Sequence, residues 1–167
     1  MIDKLQPKIK ISSDKQFVGM SKVMSLTNDT TGELFRTFMP RKKEIQNVKN
    51  DKVLDLRVYN ESYFLEFNPS SEFEKYVLVE CHPITEIPNG MMVYNFIGGE
   101  YAVFEYKGLS TDKRIYDYIF RKWLPQSKYT LDQRPHFEVL GPKTKLNDPN
   151  SEEEIWVPIK LKSDENV

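Results

Sequence analysis

Four residues in the last third of the chain have the types and spacing to hold a ligand. His136 and Glu138 alternate with Phe137 and Val139 along Pro135–Leu140, and Glu154 and Trp156 alternate with Ile155, Val157 and Ile159 along Glu153–Leu161. Side chains two apart on a strand share a face. The aliphatic sets are expected to lie under a helix, which puts Glu138, His136, Glu154 and Trp156 together on the opposite, mixed faces. A carboxylate among rings suits a cationic or polar aromatic ligand. The rings supply area and cation–π attraction, and the carboxylate supplies charge complementarity at low dielectric. The competing reading of Glu138 is a solvated strand residue. Glu154 ends a run of three glutamates, which reads equally as a solvated strand entrance.

Other chemistries find less support. His82 and His136 are the only histidines, and neither has Cys or carboxylate spacing resembling a metal site. Each reads better as a hydrogen-bonded or exposed histidine. Cys81 and His82 are adjacent on an extended segment, so their side chains point apart and form no nucleophile–base pair. Gly98-Gly99 lacks the Lys-Ser/Thr and helix context of a phosphate loop, and no G-x-S-x-G occurs. No metal and no cofactor is expected.

Charge and composition narrow the partners. The 24 Lys and Arg against 25 Asp and Glu give a net charge of −1, without the basic footprint that binding phosphates requires, so direct nucleic-acid binding is not expected. Arg41-Lys42-Lys43 reads as a helix C-terminus, where cations are favourable. A single cysteine excludes an intramolecular disulfide. No apolar run approaches the ~18 residues that span a bilayer, and the N-terminus has no signal core. A soluble, cytoplasmic protein away from membranes is the expectation. The 10 Phe, 9 Tyr and 2 Trp hint at a ring-lined pocket, although rings equally fill cores.

The elements that position these residues come in two similar halves. Ile119-Phe120-Arg121-Lys122-Trp123-Leu124-Pro125 echoes Leu34-Phe35-Arg36-Thr37-Phe38-Met39-Pro40. A β-rich run precedes each (Phe17–Leu26; Tyr101–Lys107), and two follow each (Val53–Tyr59 and Tyr76–Cys81; Pro135–Leu140 and Glu153–Leu161). Each half therefore reads strand, helix, strand, strand. The first helix follows the capping cluster Thr27–Thr30 and carries a stripe of Leu34, Phe35, Phe38 and Met39, with a further turn starting at Pro40. The second carries Ile115, Ile119 and Trp123 and should stop at Pro125. Short extended pieces are expected at Lys8–Ile11 and Met91–Phe96, a bend inside a ribbon at Gly98-Gly99, and a polar loop over Gln126–Arg134. The expectation is one α+β domain over 1–167, with module one at about 8–82 and module two at about 91–161, related by pseudo-two-fold symmetry.

The second half also carries a family pattern. Phe96-x6-Val103-Phe104-x3-Gly108, a helix, Trp123-Leu124-Pro125-x-Ser127-x-Tyr129, Pro135-x-Phe137-Glu138 and Glu154-Ile155-Trp156-Val157-Pro158-Ile159-Lys160 resemble the GyrI-like small-molecule-binding domain. That domain is also the effector-binding domain of bacterial AraC- and MerR-type regulators. Leu34-Phe35-x2-Phe38-Met39-Pro40 is similar in the first half, so the resemblance covers roughly residues 16–160. It implies an antiparallel sheet with a central aromatic cleft, containing an acidic residue and taking lipophilic, often cationic compounds in multidrug fashion. By motif that residue falls on Glu138, with Trp156, Phe38, Tyr106 and Trp123 at ring positions, although Trp123 on the helix stripe also reads as core. No DNA-binding domain is recognised beside it, so the leading expectation is a stand-alone binder for sensing or sequestration. Two alternatives accompany the resemblance. One is a cofactor-independent hydrolase of reactive electrophiles, with Glu138 as acid/base and Tyr106 as hydrogen-bond donor. The other is a protein-interaction module of the gyrase-inhibitor type, with a protein partner.

Overall fold

A computed structural model describes residues 2–84 and 86–163. The elements are β1 (Lys8–Ser12), β2 (Lys15–Met24), α1 (Thr31–Phe38), β3 (Val53–Val58), β4 (Phe73–Glu80), β5 (Met92–Phe96), β6 (Gly99–Lys107), α2 (Arg114–Tyr118), β7 (Tyr129–Leu131), β8 (His136–Leu140) and β9 (Glu152–Leu161). All strand pairs are antiparallel, in the order β1-β6-β9-β8-β3-β4-β2-β5, with β7 beside β9. This is the expected α+β architecture of two strand–helix–strand–strand modules. Module one contributes β3-β4-β2, module two contributes β6-β9-β8, and the modules join where β3 pairs with β8.

The repeated heptapeptide does the same work twice. Its first residue is buried in both copies (Leu34, Ile119) and its arginine exposed in both (Arg36, Arg121); at the aromatic position Phe38 is buried and Trp123 half-buried, while Leu124 is buried where Met39 is exposed. Pro40 enters a 3-10 turn, Met39–Glu44, at its start, where a missing N–H is not needed. Pro125 does not stop the second helix. A π-helical turn over Ile119–Trp123 widens the helix ahead of the ring, and Pro125 sits inside the final turn, Leu124–Gln126. The polar loop expected over Gln126–Arg134 contains β7, because Tyr129 and Leu131 pack on the core under α2 while pairing with β9.

The edge strands are exchanged. β1 pairs with β6 and β5 with β2, in one unbroken register: Lys8 opposite Val103, Ser12 opposite Gly99, Lys15 opposite Phe96, Gly19 opposite Met92. The two chain segments thus form a single ribbon that bends at Ser13-Asp14 and Ile97-Gly98. A Cβ on Gly98 would stand 2.0 Å from the Ser12 carbonyl oxygen, so the bend requires glycine. The ribbon brings the two ends of the strand order together.

Three cores result. Met20, Leu34, Phe38 and Val77 pack under α1; Phe104, Ile115, Ile119 and Ile155 pack under α2. The third lies on the other face of the sheet, where Phe17, Leu56, Phe96, Tyr101 and Phe137 meet from strands far apart in the order. Among the described residues no helix is long and apolar enough to cross a membrane.

Candidate functional site

Strand register places the polar residues. Asp55 of β3 lies opposite Glu138 of β8, and Glu138 lies opposite Ile155 of β9, which lies opposite Phe104 of β6. Directly paired residues share a face. Glu138 is therefore on the helix-covered face, at the seam between the cores under α1 and α2. In the neighbouring row on that face, Lys75 pairs with Arg57 and Arg57 with His136. On the other side, Glu153 pairs with Leu140 and Tyr106. The seam thus gathers three carboxylates and two cations from four adjacent strands.

Contacts tie them together. Arg57 Nη2 donates to Glu138 Oε1 at 3.1 Å, and the Tyr116 hydroxyl of α2 donates to the same oxygen. Glu138 Oε2 accepts no hydrogen bond from the described residues. The Arg57 guanidinium lies 5.7 Å from the centre of the Tyr116 ring. Lys75 Nζ donates to Asp55 Oδ2 at 3.3 Å and to Thr31 Oγ1, at the start of α1, at 2.8 Å. Asp55 Oδ1, Arg57 Nε and Glu153 Oε2 are buried with no hydrogen-bond partner among the described residues. Unmatched buried polar atoms are rare in folded proteins and mark a strained or functional site.

Rings close the seam from above. His136 stacks on Phe64 at 5.3 Å and meets Tyr59 edge-on at 5.1 Å. Phe64, from the turn over residues 61–65 of module one, stacks on Phe120 of module two at 5.9 Å. Phe64 is the most exposed of these rings, at 42%, while Tyr59 and Phe120 are half-buried and His136 is buried.

Burial and charge set the protonation states. Burial opposes the Arg57 charge, but Tyr59, Glu138, Asp55 and Glu153 outweigh it and hold its pKa above the ordinary value. Burial raises the Glu138 pKa, against the pull of Arg57 and with help from Asp55. Burial, then Glu138 and Asp55, push Glu153 up to about 8. Burial, then Arg57 and Arg134, push His136 down to about 3. His136 is thus a neutral buried ring at neutral pH, whereas the sequence suggested a hydrogen-bonded or exposed one. His82 is exposed.

Several expected site residues stand elsewhere. Trp156 pairs with Phe137, and their rings stack at 5.0 Å in the third core, on the face opposite Glu138. Glu154 is there too; Trp156 Nε1 donates to its Oε1 at 3.4 Å, and Lys10 lies 5.6 Å over the Trp156 ring. The sequence reading placed Phe137 with Ile155; the register pairs Phe137 with Trp156, because both faces of these strands are buried and each needs its own apolar set. Phe38 is fully buried in the core under α1. Trp123 packs on Phe104 and Tyr129 in the core under α2. The Tyr106 hydroxyl donates to the Leu109 carbonyl at 3.0 Å, and the residue faces Glu153 rather than Glu138. Glu138 and His136 share a face, as do Glu154 and Trp156, but the two pairs lie on opposite faces, and Glu138 and His136 stand under the helices rather than on the face away from them as the sequence suggested.

Arg57, Asp55, Lys75, Tyr116, Glu153 and the ring cover were not anticipated. A signal existed for two of them: Asp55 and Arg57 alternate with Leu54, Leu56 and Val58, so a central strand carries opposite charges on one face. Among the described residues no group of three or more His, Cys, Asp or Glu is placed to hold a metal ion; Glu138 pairs with Arg57 and Asp55 with Lys75.

Known proteins share this architecture. The chain is 27% identical over 148 residues to the transcriptional regulator BrlR of Pseudomonas aeruginosa, covering 85% of this chain and 51% of BrlR, so it spans about half the length of that relative. The C-terminal domain of EcmrR superposes with a TM-score of 0.71 at 11% identity, over 95% of this chain and 99% of that domain. SAV2435, solved bound to tetraphenylphosphonium, superposes with a TM-score of 0.65 at 15% identity, over 93% of this chain and 94% of that one. An integron cassette protein from the mobile metagenome of Vibrio cholerae gives 0.63 at 14% identity, over 93% and 96%. These structural likenesses establish the fold. The profile of Cass2, the integron-associated effector binding protein, matches residues 8–159, both modules and the seam between them, and on that match the chain belongs to the Cass2 effector-binding family.

Proposed function

We propose that the seam at Glu138 binds hydrophobic, aromatic small molecules, for sensing or sequestration. The observation that carries this reading is the Glu138 carboxylate itself. It is shielded between the two modules, its side chain 13% exposed, holds Arg57 and Tyr116 on one oxygen, and leaves the other free of hydrogen bonds from the described residues. Tyr59, Phe64, Tyr116 and Phe120 supply the apolar and aromatic area that such compounds need. A compound entering between the modules displaces the Phe64 ring and presents a polar group to Glu138 Oε2. Membership of an effector-binding family supports small-molecule recognition, and a neighbour of the same fold was solved with the hydrophobic cation tetraphenylphosphonium.

The test is calorimetric titration of wild type and Glu138→Gln with a panel of aromatic compounds, cationic and neutral. Binding weakened at least tenfold in Glu138→Gln, with the compounds recovered intact, is the expected result. Equal binding by the variant would remove Glu138 from the site. The Tyr116 hydroxyl on Glu138 favours one second reading, hydrolysis of an electrophilic compound, because a carboxylate and a phenol within hydrogen-bond reach can share a proton. Chromatographic loss of a compound that requires both Glu138 and Tyr116 would move the conclusion there. Tyr106, which faces Glu153, would not be needed.

A further inference from the structure

We propose that Arg57 is the seam's own cation, so that the site takes uncharged aromatic compounds bearing a hydrogen-bond donor and disfavours monocations. The inference rests on the ligand-binding reading of the seam and specifies the chemistry of its ligand.

Two devices attract a cationic ligand into an aromatic site: a buried carboxylate and the face of a ring. Arg57 already uses both. Its Nη2 is 3.1 Å from Glu138 Oε1, and its guanidinium lies 5.7 Å from the Tyr116 ring centre. The pair is well shielded, with side-chain exposures of 15% and 13%. The other ion pair of the cluster, Lys75 with Asp55, is closed as well, each side chain being 10% exposed. Arg57, Lys75, Asp55 and Glu138 therefore cancel. Glu153, the remaining acidic group, stays largely protonated at neutral pH, since its pKa is pushed up to about 8. A monocation entering this cluster meets a balanced set of charges, and must either bring an uncompensated charge out of water or evict Arg57 from its carboxylate. Both are costly in a low-dielectric site.

The unused hydrogen-bonding capacity points to the ligand that does fit. Among the described residues Glu138 Oε2 accepts no hydrogen bond, and Asp55 Oδ1 is buried with no partner. Both are acceptors. An uncharged ring compound with an N–H or O–H satisfies one of them without changing the local charge, and gains the ring contacts of Phe64, Phe120 and Tyr116.

The test compares three probes with one ring frame: acridone, which is neutral with an N–H; N-methylacridone, neutral without it; and the monocation N-methylacridinium. Fluorescence titrations are run on wild type, Arg57→Met and the double variant Arg57→Met/Glu138→Gln. Wild type is expected to bind acridone at least tenfold more tightly than either other probe. Arg57→Met, with Glu138 unmatched, is expected to reverse the order in favour of N-methylacridinium, and the double variant to lose that gain. Should Arg57→Met fail to fold with its orphaned carboxylate, the wild-type ratios and the double variant decide. Wild type taking N-methylacridinium as tightly as acridone, or an order unchanged in Arg57→Met, would overturn the role of Arg57 while leaving ligand binding in place. N-methylacridone binding as well as acridone would overturn the donor requirement. No binding of any probe to wild type or either variant would bring down the ligand-binding reading, and this inference with it.

Discussion

Strands β8 and β9 carry a carboxylate and rings on both of their faces, and the two faces do opposite things. On the inner face, Trp156 stacks on Phe137, hydrogen-bonds Glu154 and lies under Lys10. On the helix-covered face, Glu138 sits with Arg57, Tyr116 and His136 among buried atoms of Asp55, Arg57 and Glu153 that have no hydrogen-bond partner among the described residues. A carboxylate beside a ring is thus not itself a sign of a site. The inner pair is a packed core edge whose groups find one another. The outer cluster is buried at a junction between two modules, where polar groups are shielded without being matched. Burial without full pairing is what separates the two.

The largest effect should come from unbalancing the outer face. Arg57→Met leaves Glu138 buried without its counter-ion and is expected to lose about 3–5 kcal/mol in urea denaturation. Arg57→Met/Glu138→Gln should recover most of that, because removing both charges leaves no orphan. A single variant as stable as wild type would mean the outer face is not electrostatically matched at all.

The two faces should next differ in pH response. His136 titrates at about 3 when folded, against an ordinary value of 6.5, so the unfolded chain takes up its proton first as pH falls. The stability it contributes is complete above about 6.5 and is lost as pH drops towards 3, at up to about 1.4 kcal/mol per pH unit. Glu153 has the opposite sign. Its pKa of about 8, against 4.5, means the folded chain keeps a proton that the unfolded chain releases, so stability is lost as pH rises from about 4.5 to 8. Chemical denaturation across pH should show a flattened acid limb in His136→Phe and, in Glu153→Gln, a flattened decline between about pH 4.5 and 8. The shifted groups on the inner face are tyrosines, Tyr76, Tyr94 and Tyr101, which burial raises above the ordinary tyrosine value of about 10, so below about pH 9 Trp156→Leu should lower the curve by about 1–3 kcal/mol without changing its shape. It should also leave acridone affinity within about twofold, and a larger loss would erase the distinction between the faces.

The smallest effect is expected at the cover. Phe64→Ala removes a half-exposed ring bridging the modules and should cost about 1 kcal/mol or less. Stopped-flow association of a ligand should become faster, because the ring no longer has to leave first. An unchanged association rate would mean that ligands enter elsewhere.

The local pattern carried a good deal of this architecture. The heptapeptide echo, the strand runs around it and the Gly98-Gly99 bend all reappear, because helix stripes, strand alternation and glycine at a close approach depend on neighbours in the chain. Pro125 sits inside its helix because a π turn is a tertiary accommodation, and β7 was not legible because its three residues, Tyr129-Thr130-Leu131, are too short a run among polar neighbours to show alternation and are held by pairing with β9.

By itself the sequence determined the two modules, their helices and the presence of Glu138 and His136 on one strand face. Only the tertiary structure decided which face that was and what met it there. Strand alternation has a period of two and no sign, so it sorts residues into two sets without saying which set lies under the helices. When both faces are buried, hydrophobicity cannot choose either. The pairing of β3 with β8 joins residues about eighty positions apart, and that pairing brings Arg57 and Asp55 to Glu138 and turns a lone glutamate into a balanced, incompletely hydrogen-bonded cluster.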